Sequence, residues 1–572
     1  MKLTPNFIKR KVGLFDIIIF AAIIALLYIL VSPSINHTST GQSVEISTSL
    51  SKLPIYALKS VGRMTVAYIL SLIFTFIYGY KAAHNENAEK ILIPILDILQ
   101  SIPVLSFLPA VVLGLVSVFP HGNIGIEIAS IILIFTGQAW NMTFSFYHSI
   151  KIIPRDLKEA TEVFQLNKWQ QFKTLELPFS AIGLVWNSMM SWAGGWFFLM
   201  ACEMFTLKGR NFRLEGLGSY LQTAANQGDE KALLWGVLTL ILVIVLLNEL
   251  VWKPVIVWAD KFKVELTGND EKPHSYILTM IRRSVVIEVL SEKVFAKIYV
   301  FINKTIDNLI IKFSSDKYLR FGVLGKIISL IVRIVMIILL CYSLFKGLKL
   351  IVTVSPNELA KLLPAVGASL LRVLVAQVLA LLWTVPVGVA IGMNKKLANI
   401  FQPIIQIIAS VPATALFPVV LGFFMSAIGG LNIASVFLML MGTQWYILFN
   451  VIAGAMAIPD DLISASKTFG LKGFKKWKTL ILPAIFPNLI TGMITATGGC
   501  WNASIVSEYV NFGSKTYSTI GLGALISDAT NKGDFPMLIL STVVMCIVVV
   551  TFNKLVWKPL YNLAEVKYKI EL

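Results

Sequence analysis

The residues with chemical potential in this chain are few, and they come in matching pairs. Glu203 and Glu508 each close a long apolar run, after GGWFFLMAC and GCWNASIVS. Arg63 and Arg372 each lie near one end of another apolar run. A carboxylate or guanidinium at membrane depth is costly unless it is paired, wetted or used. Two readings of the glutamates therefore stand: a functional or ion-paired group, or a wetted helix end. An ion pair from each arginine to a glutamate, within one half of the chain or across halves, is the corresponding expectation. Catalytic chemistry finds no support. No Ser/His/Asp or Cys/His constellation occurs, and the five histidines have no ligand spacing. No G-x-x-x-x-G-K-[ST] is present, so the chain has no P-loop of its own for ATP. Cys202, Cys341, Cys500 and Cys546 read as small apolar residues, not as a disulfide or metal set.

A second constellation is polar and repeated. IPRDLKEATEVFQLNKWQQFKTLELP (153–178) returns as IPDDLISASKTFGLKGFKKWKTLILP (458–483). Pro154 and Asp156, like Pro459 and Asp461, suit the first turn of a helix. Leu157, Ala160 and Phe164 fall at i, i+3 and i+7, as do Leu462, Ala465 and Phe469, which draws one apolar stripe on a short polar helix. Gly470 can end the second copy, where the first has Gln165. One copy alone reads as an ordinary surface loop. Two copies at equivalent places read as docking elements for a two-fold partner.

The elements that must position these residues repeat too. A shift of 305 (483 − 178) carries Pro178 to Pro483, Trp140 to Trp445, Trp196 to Trp501, Glu203 to Glu508 and the GLG of 216–218 to that of 521–523. A shift of 309 (412 − 103) carries Arg63 to Arg372, and Ser101 and Pro103 of a Ser-Ile-Pro block to Ser410 and Pro412 of a Ser-Val-Pro block. The prolines 94, 103 and 109, with 403, 412 and 418, are expected to bend one span in each half. Trp196 and Trp501 beside their glycines can line a pathway or serve ordinary helix packing.

Composition supplies the setting. The 572 residues are 56% hydrophobic and 14% charged, and the mean hydropathy of +0.77 is far above that of soluble chains. Runs long enough to cross a bilayer, about 20 residues each, lie near 14–31, 57–79, 91–118, 123–147, 180–205 and 231–257. A second set lies near 324–351, 364–392, 400–426, 430–455, 484–507 and 535–557. The expected fold is an all-α polytopic membrane protein with two pseudo-symmetric parallel repeats of about six transmembrane helices. The expected divisions are a first helix and outer segment (1–56), one repeat (57–257), a cytoplasmic linker (258–322), an extra helix and outer segment (323–363) and the second repeat (364–572). The net charge of +18 follows the positive-inside bias and gives no case for nucleic acid. Lys9, Arg10 and Lys11 precede the first run, while 32–56 carries Lys52 as its sole base. Both termini and both islands are therefore expected on the cytoplasmic side of a prokaryotic inner membrane, and the first run is expected to be a retained helix.

The islands resemble the EAA loop of binding-protein-dependent ABC importer permeases. Its form is Glu-Ala-Ala, three residues, Gly, then a stretch ending in Leu-Pro. The likeness extends over nearly all of both halves. The Ser-Ile-Pro block, its Ser-Val-Pro counterpart and the GLG turns look most like the nitrate/sulfonate/taurine/bicarbonate branch, whose usual permease is about half this length and works as a dimer. The chain thus looks like two permease domains fused in one polypeptide. The first island keeps Glu159 and Ala160 but has Thr161, and puts Gln165 at the glycine place; the second keeps Ala465 and Gly470 but has Ser464 in place of Glu. The resemblance implies two ATPase subunits, which hold ATP and Mg, docked on Leu157, Glu159, Ala160, Phe164 and Gln165 and on Leu462, Ser464, Ala465, Phe469 and Gly470. It also implies a small oxyanion as cargo. A soluble binding protein is a further partner that the resemblance admits and the residues do not settle. Arg63, Arg372, Lys208, Arg210 and Arg213 are placed to draw anions to the outer mouth. The rival readings are a secondary transporter with parallel internal repeats and a non-transporting membrane scaffold.

Overall fold

The computed structural model describes residues 45–119, 123–207, 210–262, 323–426, 430–512 and 515–567. The apolar run 14–31, all but the first residues of the 258–322 segment, and Lys208 lie outside the described residues.

The first repeat opens with α1 (Leu53–His84), started by a proline in its first turn. It continues through α2 (Glu86–Ser101), α3 (Leu108–Val118) and α4 (Ile124–Lys151). The island forms α5 (Arg155–Val163) and α6 (Lys168–Gln171), and the chain returns through α7 (Leu177–Glu203). A hairpin of β1 (Met204–Leu207) and β2 (Arg210–Arg213) follows, then α8 (Leu217–Gln227), α9 (Glu230–Leu247) and α10 (Lys253–Ala259). After α11 (Val323–Ile351) the same order returns: α12 (Pro356–Gly392), α13 (Lys395–Ser410), α14 (Ala413–Ser426), α15 (Gly430–Met456), α16 (Asp460–Thr468), α17 (Gly473–Lys476) and α18 (Leu482–Ser507). The second hairpin is β3 (Tyr509–Phe512) and β4 (Lys515–Ser518), followed by α19 (Leu522–Lys532), α20 (Phe535–Phe552) and α21 (Lys558–Lys567). Among the described residues, seven helical stretches are long and apolar enough to cross a membrane. The fold is the expected helical, repeated, polytopic one.

Two features depart from the expectations. The runs 91–118 and 400–426 are not single bent spans. Each is cut in two at its Ser-x-Pro block. Ile102 (φ −83°, ψ 129°) and Val411 (φ −72°, ψ 116°) are extended, the conformation a following proline imposes. The chain after each fifth span is not a plain loop but a four-residue antiparallel ribbon, Met204 opposite Arg213 and Tyr509 opposite Ser518.

The repeat reaches into backbone irregularities. Single π-turns occupy Phe172–Glu176, Asn248–Trp252, Trp477–Ile481 and Asn553–Trp557. Each ends two residues before a Pro (Pro178, Pro254, Pro483 and Pro559). A proline inside a helix removes one i→i−4 bond and its ring crowds a carbonyl one turn earlier. Widening that turn to i→i−5 bonding, as Leu177 N to Phe172 O, relieves the crowding.

The halves are packed through each other at the broken helices. Residues 102–116 share one apolar core with Trp501, Leu538, Met545 and Val549 of the second half. Leu105 N donates to Asn502 Oδ1 at 3.3 Å. In the opposite direction Gln406 of α13 reaches Asn248 Oδ1 of the first half at 2.9 Å.

Candidate functional site

Three places merit description: the islands at one end of the long helices, the glutamates at the other end, and the seam between.

In each island the proline caps the start of a nine-residue helix. Both helices end in the same Schellman pattern. Leu166 N bonds Thr161 O and Gln165 N bonds Glu162 O; Leu471 N bonds Ser466 O and Gly470 N bonds Lys467 O. That ending needs a left-handed residue. Gly470 sits there at φ +65°, and Gln165 occupies the same place at φ +51°, the one non-glycine with positive φ among the described residues. So the first island keeps the glycine's backbone without its glycine. The face turned to the body carries Thr161 and Ser466, and the apolar stripe faces outward. Leu157 and Leu462 are about two-fifths exposed, while Phe164 is 75% and Phe469 80% exposed. Glu159 and Ser464 are exposed beside them, and Ala160 and Ala465 are partly so.

At the far end Glu203 and Glu508 are fully buried. Glu203 Oε1 accepts from Ser60 Oγ (2.6 Å) and Arg63 Nη1 (2.7 Å), and Oε2 accepts from Gly218 N (2.7 Å). Glu508 repeats this with Ser369 Oγ (2.7 Å), Arg372 Nη1 (2.8 Å) and Gly523 N (2.9 Å). Each serine in turn accepts from the backbone of the GLG leucine, Leu217 or Leu522, at 2.9 Å. The ion pair is therefore made within each half, and the wetted-end reading fails. The GLG turn has its reason here. A Cβ on Gly216 or Gly521 would overlap the carboxylate, and Gly218 and Gly523 present N–H groups to it. The latch ties α1 to α7 and α8, and α12 to α18 and α19.

The latches differ on the far side of the arginine. Arg63 is also held by Glu127, Nε to Oε2 at 2.6 Å and Nη2 to Oε1 at 2.7 Å. The residue equivalent to Glu127 is Asn432, which accepts from Arg372 Nη2 at 2.7 Å beside Thr519 Oγ1 and the Ile520 carbonyl. Both arginines are occupied by carboxylates, so the charge expected to draw anions at the outer mouth is neutralised at these two positions. A cleft of about 300 Å³ opens beside Arg63, lined by Lys59, Gly62, Asn123, Glu127, Leu214 and Glu215.

The remaining sequence candidates lie near the seam. Trp196 and Trp501 are packed in the cores, 1% and 0% exposed. Ser101 and Ser410 are the last residues of α2 and α13. Pro103 and Pro412 are buried just past the breaks. The sequence reading missed Ser60 and Ser369, although the 309 shift that pairs the arginines also pairs them. It missed Glu127 because the residue at its repeat position is Asn432, so no pairing draws attention to it.

The geometry now has a context among known proteins. The family model for the binding-protein-dependent transport system inner membrane component matches twice, over residues 71–251 and 384–557. The chain belongs to that family, as a multi-pass inner-membrane permease component with the domain present in two copies. It is 28% identical over 191 residues to the nitrate import permease protein NrtB of Leptolyngbya laminosa, covering 33% of this chain and 65% of that one. It is 28% identical over 176 residues to the bicarbonate transport system permease protein CmpB of Synechococcus elongatus, 31% of this chain and 60% of that one. It is 26% identical over 163 residues to the taurine transport system permease protein TauC of Escherichia coli, 28% and 56%. Each match thus spans between about half and two thirds of the relative.

Proposed function

We propose that this chain is the whole membrane path of an ATP-driven importer, carrying a small oxyanion such as nitrate, a sulfonate like taurine, or bicarbonate into a prokaryotic cell. Both termini and both islands face the cytoplasm. Two ATPase subunits, which hold the ATP and Mg, seat on the two islands, and a soluble binding protein delivers cargo at the hairpin end.

The observation that carries this reading is the pair of outward aromatic knobs. An isolated phenylalanine three quarters exposed in a polar loop loses the favourable burial of its ring, about 1.5–3 kcal/mol. Two of them at repeat-related positions, each on a helix locked by a Schellman ending, form a preorganised anchor for a protein groove. Closure of two ATPases on each other would draw the islands together. The long helices α4, α7, α15 and α18 then act as levers that rock the halves about the seam. The anion cargo rests on the names of the relatives.

Two measurements test it. Native mass measurement of the purified complex should give one copy of this chain with two ATPase subunits; two copies of the chain refute the single-chain path. Proteoliposomes holding that complex, with ATP and the binding protein, should accumulate nitrate, taurine or bicarbonate. ATP-dependent uptake of a cation, with no response to these anions, refutes the cargo and leaves the importer standing.

A further inference from the structure

The two halves meet near the middle of the long helices at Gly194, which lies against Tyr446 of the second half. Gly194 of α7 lies nine residues, roughly 13 Å of helix, from the latch glutamate. Gly498 and Gly499 of α18 lie at the equivalent depth. All three are partly exposed inside a membrane-spanning bundle, and a Cβ on Gly498 would meet nothing within 4 Å.

Tyr446 is one of the side chains that cross between the halves. Tyr446 of α15 lies with its ring 3.7 Å from the Cβ position of Gly499 in its own half, while its Oη is 3.2 Å from the Cβ position of Gly194 in the other. Its hydroxyl has no hydrogen-bond partner among the described residues. The 305 shift maps Tyr446 onto Asn141 and Gly499 onto Gly194, so Asn141 holds on α4 the place that Tyr446 holds on α15. Asn141 Oδ1 accepts from Gln100 Nε2 at 3.0 Å. That bond leaves the Asn141 amide hydrogens and one Gln100 hydrogen free of partners among the described residues. Tyr446, Asn141 and Gln100 are all partly exposed.

We propose that Tyr446 Oη and the Asn141 and Gln100 amides form a neutral hydrogen-bond donor site between α7 and α18 that contacts the cargo oxyanion in transit. This rests on the importer reading above and adds the residues that touch the cargo. Neutral donors fit the task. A buried, unpaired cationic side chain would itself be costly at this depth and would hold an anion too firmly to release it. Hydroxyl and amide donors replace part of the anion's water without trapping it, which is the balance conduction requires. The unlike walls, phenol on one side and amide on the other, give the path two distinguishable faces.

The test uses the assembled complex in proteoliposomes with nitrate, bicarbonate and taurine as probes. Tyr446→Phe keeps the ring and removes one donor. We expect the KM of the transported anion to rise about three- to tenfold, the worth of one hydrogen bond, with a smaller change in maximal rate. Gly194→Ala places a methyl 3.2 Å from Tyr446 Oη, and should slow taurine more than nitrate. A role in packing alone would lower the amount of assembled complex or the maximal rate and leave KM fixed. Should Tyr446→Phe fail to assemble, Asn141→Ala carries the same KM test. Unchanged KM in the assembled variants, with all three probes slowed alike by Gly194→Ala, refutes the site alone. A wild-type complex that moves none of the three anions refutes the cargo reading and the site together.

Discussion

Removing the charge of the buried glutamate should hurt the second half more than the first. Glu203→Gln and Glu508→Gln are isosteric, so neither opens a cavity. Each forces one amide hydrogen against a donor, because the native carboxylate accepts from serine, arginine and backbone N–H on its two oxygens. That penalty is common to both and cancels in the comparison. The difference lies in the arginine. After Glu203→Gln, Arg63 keeps its two-pronged pair with Glu127, and the loss is that of a charge-assisted hydrogen bond, about 1.5–3 kcal/mol. After Glu508→Gln, Arg372 keeps Asn432, Thr519 and a carbonyl, but among the described residues it has lost its only carboxylate while 9% exposed. Breaking a buried pair from one side costs about 3–5 kcal/mol. The gap is about 2 kcal/mol.

The assay follows the thermal exposure of the buried cysteines Cys202, Cys500 and Cys546 to a fluorogenic thiol reagent in detergent, with the exposed Cys341 replaced. At about 2–4 °C per kcal/mol for units of this size, Glu508→Gln should melt about 4–8 °C below Glu203→Gln. Adding Asn432→Glu to Glu508→Gln supplies the second-half copy of Glu127 and should recover most of that gap. Equal midpoints, a lower midpoint for Glu203→Gln, or no recovery by Asn432→Glu would refute the assignment of the asymmetry to Glu127.

Gln165→Gly should slow amide exchange across 155–163, because it removes a left-handed side chain worth about 1 kcal/mol; Gly470→Ala should speed exchange across 460–468 by a similar energy, and opposite signs would show that the helix ends are not Schellman caps. Phe164→Ala with Phe469→Ala should leave the thermal midpoint of the isolated chain unchanged, since both rings are exposed. The same pair should lower ATP-driven uptake by about tenfold, a loss of 1.4 kcal/mol in docking; full uptake would make the islands plain loops. In a background lacking Cys341, Gln165→Cys and Lys472→Cys should be shielded from an impermeant thiol reagent in whole cells, whereas Ser51→Cys should react; labelling of both islands from outside inverts the topology.

Much of this architecture is written in residue types. The repeat shifts alone pair the islands, the arginines, the glutamates and the GLG turns, because each element depends on a residue with a backbone or charge consequence. What stayed hidden lacks such a residue or depends on distant contacts. The cut at Ile102 and Val411 is masked by the apolar run around it, and the prolines there read equally as bends. The four-residue hairpins are too short for a strand period to emerge. Which side of the island helix meets the body is decided by packing of Thr161 and Ser466, and both are polar. The cross-packing of the broken helices onto the opposite half involves residues about 400 positions apart, such as Leu105 with Asn502.

The halves diverge in a patterned way. Several positions that shape the backbone or fill tight space are kept, with Gln165 for Gly470 as an exception: Pro178 and Pro483 behind their π-turns, Gly216 and Gly521 against the carboxylates, Ser60 and Ser369 at the latches. Some positions that carry polar partners have drifted. Glu127 corresponds to Asn432; Glu176, paired with His84 at 2.8 Å, corresponds to Ile481; Asn141 corresponds to Tyr446. A homodimer of one half would be bound to carry each change on both sides of its axis. One continuous chain is not, so a group can be present on one wall of the path and absent from the other. A path with unlike walls suits a cargo that has an unlike front and back, and taurine, with an ammonium at one end and a sulfonate at the other, has two ends where nitrate has none. If the divergence at the seam serves recognition, exchanging the two walls by Asn141→Tyr with Tyr446→Asn should preserve transport of nitrate while impairing taurine, because the swap is silent to a cargo without ends only if the halves are otherwise equivalent there. Equal loss for both cargos would assign the asymmetry to packing around Gly194 and Gly499 instead of to the cargo.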